Sequence, residues 1–511
     1  MRVNSAPARY PASPLALLAL LGGLLVAPEI GRSFSADSYS YAQLAESLRR
    51  DGSYATATLR DFLGPLTLPQ PSRSFPPLWP LTLAAAQVIT GAGILAGLLP
   101  SLLLLGALPL AVWRFGVRLA PPGLGPWLLA MAAAFLCWDE GFRNEIASAR
   151  AIPLAMLLGW LLLTQLLQPL WPPTVGLTLA ALALTRFDQL PFAVAVLLAL
   201  GMQRRWRPTV AAVVLFFLAM APWWWRNLAV FGTPLASDNA PTVRSLHAGI
   251  VQVSWFAPGQ VPQTLAEAPW LWLVQRAGYA WRAIATLGFV ALPAWLALAA
   301  GLILHGSLLP LRRRWLLWPL LHALATLAAV ALTPYGDRRY FAPVHLEVAV
   351  VAAVVLAEVP WAQRWPRLAQ PLPRFLVATA FGAMIVTAVA RIAAEGPGIW
   401  QVAQMPQSAM VTAAKDTLAG QSGVLVAAVD AERFSFLTGL QGVTLPVNAP
   451  SDGPAFQAWL LRFQPSHLLL ATGDPRAEAA HLRRPATALP EGFVLVPVQP
   501  FAAAPALARR P

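Results

Sequence analysis

The sequence predicts a mostly α-helical protein: a polytopic membrane helical bundle of about 11 to 13 transmembrane helices, with a small C-terminal α/β domain outside the membrane. Three observations carry this. Of 511 residues, 57% are hydrophobic and only 11% charged, whereas a soluble globular protein is about half apolar and a quarter charged. Apolar runs then recur over residues 1–394, many of them ending at one of the 49 prolines, where helices are expected to stop. From 395 to 511 the pattern changes to short strand-like and helix-like stretches in alternation.

A spanning helix needs roughly 20 apolar residues. Runs of that character lie near 12–30, 77–113, 124–138, 149–167, 172–187, 189–203, 208–226, 283–306, 315–332, 341–359 and 373–392. The run 77–113 is too long for one helix and reads as a membrane-surface helix followed by a span, with three short crossings as the alternative. Short cytoplasmic loops carry the positive excess. Arg2 and Arg9 therefore place the N-terminus inside, and Arg114 with Arg118, Arg204 to Arg207, Arg312 to Arg314, and Arg364 to Arg374 mark further inner ends. The outer loops are then 31–76, 139–148, 227–282 and 333–340, and the C-terminal domain lies outside. Residues 12–30 lack a clear cleavage site and read as an uncleaved first helix.

The net charge of +14 is almost wholly arginine, Lys415 being the only lysine. With abundant Ala, Pro and Gly, that bias suits a GC-rich bacterial genome, and the membrane is expected to be a bacterial inner membrane. No basic stripe with interleaved aromatics is present, so no nucleic-acid partner is expected. The single Cys137 lies in an apolar run, which excludes a disulfide framework or a cysteine metal site.

In the C-terminal part, "VLVAAVD" (424–430), "GVTLPV" (442–447), "SHLLLATG" (466–473) and "FVLVPV" (493–498) read as strands, with helical spacing in "AERFSFLTGL" and "PAFQAWLLRF" between them. No phosphate-binding glycine fingerprint occurs here, and the chemistry is expected elsewhere.

A carboxylate opens the first outer loop. In "ADSYSYAQLAESLRRDG", Tyr41, Leu44, Ala45 and Leu48 fall at helical spacing, with Gln43, Glu46, Arg49 and Arg50 on the other face. The pattern predicts an amphipathic helix lying in the membrane interface, apolar side down. Asp37 at its start caps the helix, serves as a general base whose pKa is raised by partial desolvation, or does both. An ionisable side chain facing a bundle interior is a functional candidate.

These residues carry a resemblance. "SADSYSYAQLAESLRRDG" followed by "SRSFPPLWPLTLAAAQVITG" resembles the first outer loop and second helix of the GT-C membrane glycosyltransferases, in the bacterial branch related to protein O-mannosyltransferases and lipid A aminoarabinose transferases. The matching positions are Asp37, Tyr41, Ala45, Leu48, Gly52, Pro76, Pro77, Trp79 and Pro80. "PWWWRNLAVFGTP" (222–234), "DRRYFAPVHLEVAVVAAVVL" (337–356) and "LTGLQGVTLP" are similar to later elements of the family, in order along most of the chain.

The resemblance implies an enzyme that transfers a sugar from a polyprenyl-phosphate donor to a glycan, lipid or protein acceptor on the outer face of the membrane, inverting the anomeric centre. It implies Asp37 as the base. Arg338 and Arg339 become candidates for the departing phosphate, because guanidinium pairs with phosphate oxygens two at a time; the alternative is that they snorkel to headgroups. Tyr340 adds a hydroxyl, and Tyr41 is a further binding candidate. In the second outer loop, "CWDEGFRNEIASAR", Glu145 is the candidate for positioning a substrate, with Asp139 and Glu140 expected on the solvated surface. Arg186 is similar to an arginine that the family carries at this place, and with Asp188 it reads equally as a structural ion pair; Arg226 reads as an interfacial residue. Loop 227–282 is a candidate lid.

Two departures qualify the match. The aminoarabinose transferases carry a lysine before the Pro-Pro pair; here Phe75 stands there, leaving Arg73 as the substitute. Asp37 is followed by Ser38 and Tyr39 with no second acid, so the sequence supports no metal and no certain cofactor. A lipid-linked sugar transporter or flippase is expected to show inverted repeats and polar groups at the midplane, which are not seen. A non-catalytic partner with the same fold is the other alternative.

Overall fold

The computed structural model describes residues 12–30, 33–91, 93–119, 123–167, 172–203, 206–246, 263–307, 310, 313–333, 336–396, 417–418, 421–428, 431–446, 454–470, 494–496 and 506–509. The apolar runs become helices close to where the sequence places them. In chain order these are α1 (Ala12–Val26), α2 (Ala36–Asp51), α3 (Leu78–Thr90), α4 (Ile94–Leu119), α5 (Leu124–Trp138), α6 (Glu140–Ala147) and α7 (Ile152–Leu166). There follow α8 (Pro172–Thr185), α9 (Leu190–Met202), α10 (Trp206–Phe231), α11 (Asn239–Arg244), α12 (Pro269–Val290), α13 (Leu292–His305), α14 (Leu317–Ala331), α15 (Ala342–Glu358), α16 (Trp361–Arg364) and α17 (Pro371–Glu395).

Run 77–113 divides into one short helix and one long one. Residues 91–93 separate them, Gly91 (φ 87°) and Gly93 (φ 134°) adopting backbone angles that side-chain-bearing residues avoid. Two expected outer loops are partly helical: 139–148 forms α6, and 227–282 is shortened by the end of α10, α11 and the start of α12.

Among the described residues, six helices are long and apolar enough to cross a membrane, or up to eight if each of two bent pairs counts as one span. The pairs are α6 with α7, bent by 113°, and α12 with α13, bent by 71°. This makes an integral membrane protein, with fewer full-length spans than the sequence runs suggest. The difference is one of length: α5 has 15 residues, about 22 Å at 1.5 Å per residue, against a hydrocarbon core of about 30 Å. Leu103, Leu198, Phe217, Ile303 and Val386 are exposed on the outside of the bundle, a composition that water would not tolerate over so wide a surface and lipid does.

In the first outer loop, β1 (Ala55–Thr56), β2 (Thr58–Leu59) and β3 (Gln70–Pro71) precede α3; beyond α17 come β4 (Leu425–Ala428), α18 (Ala431–Thr438), β5 (Gln441–Thr444), α19 (Pro454–Phe463), β6 (His467–Leu470), β7 (Val494–Val496) and β8 (Ala506–Arg509). The four expected C-terminal strands and both helices are present. They form a six-stranded sheet in the order β2-β5-β4-β6-β8-β7. The pairs from β2 to β6 run parallel, and β8 is antiparallel to both β6 and β7.

The edge strand β2 was not expected, because it comes from the first outer loop. Thr58 and Leu59 lie in register with Gly442 and Val443. Leu59 and Phe62 join the apolar core of the C-terminal domain with Phe456, Trp459 and Leu468. The loop and the domain are thus one packed unit.

This changes the setting of α2. Its apolar side packs on the helix bundle and not on lipid, Tyr41 and Ala45 against Trp79, Leu83 and Leu104. On its other side Arg49 and Arg50 are exposed, but the first turns are covered. Gln43 is buried, donating from Nε2 to the Glu432 carbonyl (2.8 Å) and accepting the Ala57 N–H (3.0 Å). The helix is clasped between the bundle and the C-terminal domain.

Candidate active site

Asp37 is the second residue of α2. Ser35 takes the cap position, its N–H donating to Ser38 Oγ (3.2 Å), so the expected capping role does not fall to Asp37. Its carboxylate instead meets two arginines. Arg339 Nη1 lies 3.5 Å from Asp37 Oδ2, and Arg60 Nη2 lies 3.6 Å from Asp37 Oδ1.

Arg339 comes from a 3-10 turn, Arg338–Phe341, that leads into α15. The turn sits against α6 because Gly141 has no side chain: a Cβ there would lie 2.9 Å from the backbone N and Cα of Arg339. This close approach lets Arg339 Nη1 reach Glu145 Oε1 (3.5 Å). Glu145 is buried and is held from its other flank by Arg150 Nη1 (3.1 Å), while its Oε2 has no hydrogen-bond partner. Tyr340 supplies a ring to two cations, Arg186 at 5.1 Å and Arg339 at 5.2 Å.

Three sequence-remote loops therefore bring Asp37, Glu145, Arg339 and Tyr340 together. Tyr41, one turn on from Asp37, is buried with its ring 4.4 Å from that of Phe75, and burial pushes its hydroxyl well above the usual tyrosine range. The remaining two candidates are held elsewhere. Arg73 is committed to Asp61 through two bonds (2.5 and 3.0 Å). Arg338 points outward, half-exposed, near Glu140 (3.8 Å) and over Phe289.

The structure adds Arg60, which no motif marked, and assigns partners to several residues that the motifs contained. Arg60 follows β2 and also faces Glu432 of α18 (3.4 Å), so the C-terminal domain does reach this cluster. Arg150 closes the second outer loop. Arg186 forms its ion pair with Asp188 (2.7 Å) and still lies over Tyr340. Asp139, expected at the surface, is buried: it caps α6 by accepting the Phe142 N–H (2.7 Å) and bonds His345 Nδ1 (2.8 Å). Arg226, read as interfacial, donates to the carbonyls of Ser72 (2.7 Å) and Tyr54 (3.1 Å) and so pins the first outer loop.

The electrostatics correct one expectation. Burial pushes the Asp37 carboxyl up, but the charges of Arg339, Arg60, Arg150 and Arg186 outweigh it and hold the group below the ordinary aspartate range. It is ionised at neutral pH. Asp37, Glu145 and Glu432 face Arg60, Arg150 and Arg339, of which Asp37 (27%) and Arg339 (21%) are the most exposed; Arg339 is also 3.2 Å from the exposed Asp337. The cavity lined by Leu105, Leu108, Phe135, Phe142 and Leu346 is apolar and includes none of them.

No protein-family model matches the chain, and no curated protein matches it in sequence. Solved structures do. ArnT from Cupriavidus metallidurans bound to undecaprenyl phosphate aligns over 99% of both chains, with a TM-score of 0.57 at 12% identity. Its apo form aligns over 98% of this chain and 97% of ArnT, with a TM-score of 0.56 at 12% identity. Arabinofuranosyltransferase AftD from Mycobacteria aligns over 98% of this chain and 40% of AftD, with a TM-score of 0.44 at 15% identity. The chain is an integral membrane protein with the fold of ArnT, the architecture its GT-C-like motifs resemble.

Proposed function

We propose that this protein is a membrane glycosyltransferase that moves a sugar from a polyprenyl-phosphate donor to an acceptor on the outer face of a bacterial inner membrane. The observation that carries this reading is the meeting of Asp37, Arg339 and Glu145 from three separate loops at one end of the bundle. A fold shared with a protein that binds undecaprenyl phosphate supports the lipid carrier. The count of 11 to 13 crossings requires the shorter apolar helices α3, α5, α8 and α9 to cross as well as the six to eight longer spans.

The chemistry follows from the charges. An acceptor hydroxyl or amine attacks the anomeric carbon, the bond from that carbon to the phosphate oxygen breaks, and the polyprenyl phosphate leaves with the electron pair. Asp37 takes the acceptor's proton, and Arg339 neutralises the departing phosphate. The arginines hold Asp37 below the ordinary aspartate range, too acidic to be a good base. Donor phosphate competes for Arg339, and the loss of that pairing raises the basicity of Asp37 at the moment the sugar arrives.

Two measurements test the reading. Purified protein is expected to bind undecaprenyl phosphate in native mass spectrometry, with Arg339→Ala weakening binding about tenfold or more. Membranes of a deletion strain are expected to accumulate one sugar-charged lipid and to lack one glycan residue; Asp37→Asn is expected to lower transfer by about 10²–10⁴-fold while still binding the lipid. Full complementation by Asp37→Asn would overturn the catalytic assignment and favour a non-catalytic partner.

A further inference from the structure

The buried guanidinium of Arg60 lies between two carboxylates from opposite ends of the chain. Its Nη2 is 3.6 Å from Asp37 and its Nη1 is 3.4 Å from Glu432, with Ser40 Oγ also 3.4 Å from Nη1. The side chains of Arg60 and Glu432 are 8% and 4% exposed, so water screens their interaction poorly.

The backbone on both sides is fixed. Arg60 follows directly on Thr58–Leu59, which pair with Gly442 and Val443 in the C-terminal sheet. Its N–H, and that of Asp61, donate to Gln70 Oε1 (2.9 and 3.1 Å). Glu432 is held at its carbonyl by Gln43, on the same helix as Asp37. A salt bridge serving only to dock the domain would need Glu432 and Arg60 alone. Here the guanidinium is shared, and each acid's hold on it weakens the other's.

We propose that the C-terminal domain tunes Asp37 through Arg60, with Glu432 as the counterweight: the domain sets the position and basicity of the site carboxylate in the membrane-anchored part. Arg60 and Glu432 are positioning residues. The proposal deepens the functional reading given above, since it concerns the carboxylate assigned there as the base. Arg339, Arg150, Arg186 and Tyr41 also face Asp37, with Glu145 beyond them on Arg339; Arg60 differs from them in following directly on a strand of the shared sheet.

The test is an infrared pH titration of the full chain in detergent, reading the protonated-carboxyl band that Asp37→Asn removes. Arg60→Gln is expected to raise the Asp37 midpoint by about one pH unit or more. Glu432→Gln is expected to lower it, because the guanidinium then loses the carboxylate that competes with Asp37 at 3.4 Å, while the more weakly acting Asp238 is unchanged. In Arg60→Gln, Glu432→Gln has little left to act through, so the double variant titrates close to Arg60→Gln.

Should Arg60→Gln fail to fold, Arg60→Lys decides the same question. It keeps the charge, cannot span both acids, and is expected to shrink the Glu432→Gln effect. An unchanged midpoint in Glu432→Gln, or an equal shift with and without Arg60, would overturn the proposal. The titration uses no lipid, so failure here and failure to bind undecaprenyl phosphate are separate results.

Discussion

Asp37 and Asp238 show how the same residue type is driven in opposite directions by its neighbours. Both lose water, yet Asp37 faces arginines close enough to hold it ionised, while Asp238, just before α11, is 1% exposed with neither carboxylate oxygen hydrogen-bonded. For Asp238 burial dominates over the pull of Arg60, Ser74 and Arg73, and its pKa is raised. The signs follow by linkage. Asp37 contributes stability that is full above the usual aspartate range and is lost as pH falls through its lower folded value. Asp238 withdraws stability as pH rises from that range through its higher folded value. Asp238→Asn is therefore expected to raise the melting temperature near neutral pH, by a stability gain on the order of 1 kcal/mol. The gain should narrow as the pH approaches about 4; a melting temperature that drops in Asp238→Asn would contradict the account.

At the scale of elements, the site depends on how closely backbones approach. The turn bearing Arg339 lies on α6 at Gly141, where a methyl group would sit 2.9 Å from Arg339 backbone atoms. Gly141→Ala is expected to push that turn from the helix carrying Glu145, at a cost of about 1–3 kcal/mol. Undecaprenyl phosphate binding should weaken in proportion, although residue 141 bears no side chain to contact a ligand. Binding equal to wild type would show that the Arg339–Glu145 spacing is unimportant. This glycine was invisible in the sequence, since "CWDEGFRNEIASAR" marks a charged loop and says nothing of what packs on it. Asp139 was misjudged for the same reason: its partner His345 lies 206 residues away. Local spacing did reveal α2, the C-terminal strands and the helix starts, where periodicity and proline act within a few residues.

Across the whole molecule, the bundle was legible because lipid imposes a length and composition on each segment. The resemblance named Asp37, Glu145 and Arg339 among its candidates, and the fold brings these three together while holding Arg73 and Arg338 elsewhere. Arg60 and Glu432 were not legible, because strand β2 is only two residues long and its pairing partner is remote. Arginine placement predicts the orientation, and labelling checks it. In a Cys137→Ala background, Arg50→Cys is expected to react with a membrane-impermeant maleimide from the outer side, and Arg313→Cys only after the membrane is permeabilised. Both side chains are accessible, at 64% and 43% exposure. The reverse pattern would place the Asp37 cluster on the cytoplasmic face and remove the proposed reaction from the outer surface.

The two-residue strand of the first loop also has a consequence for how the protein is made. Residues 58 and 59 leave the ribosome about 380 residues before the strand that receives them, an interval of roughly 20–80 seconds at ordinary rates of synthesis. Throughout that time Leu59 and Phe62 lack Phe456, Trp459 and Leu468, and Arg60 lacks Glu432 for nearly as long. A nascent chain interrupted within its helices thus inserts into the bilayer without a finished charge cluster, which is completed only once Glu432 and the strand Gln441–Thr444 have been translated.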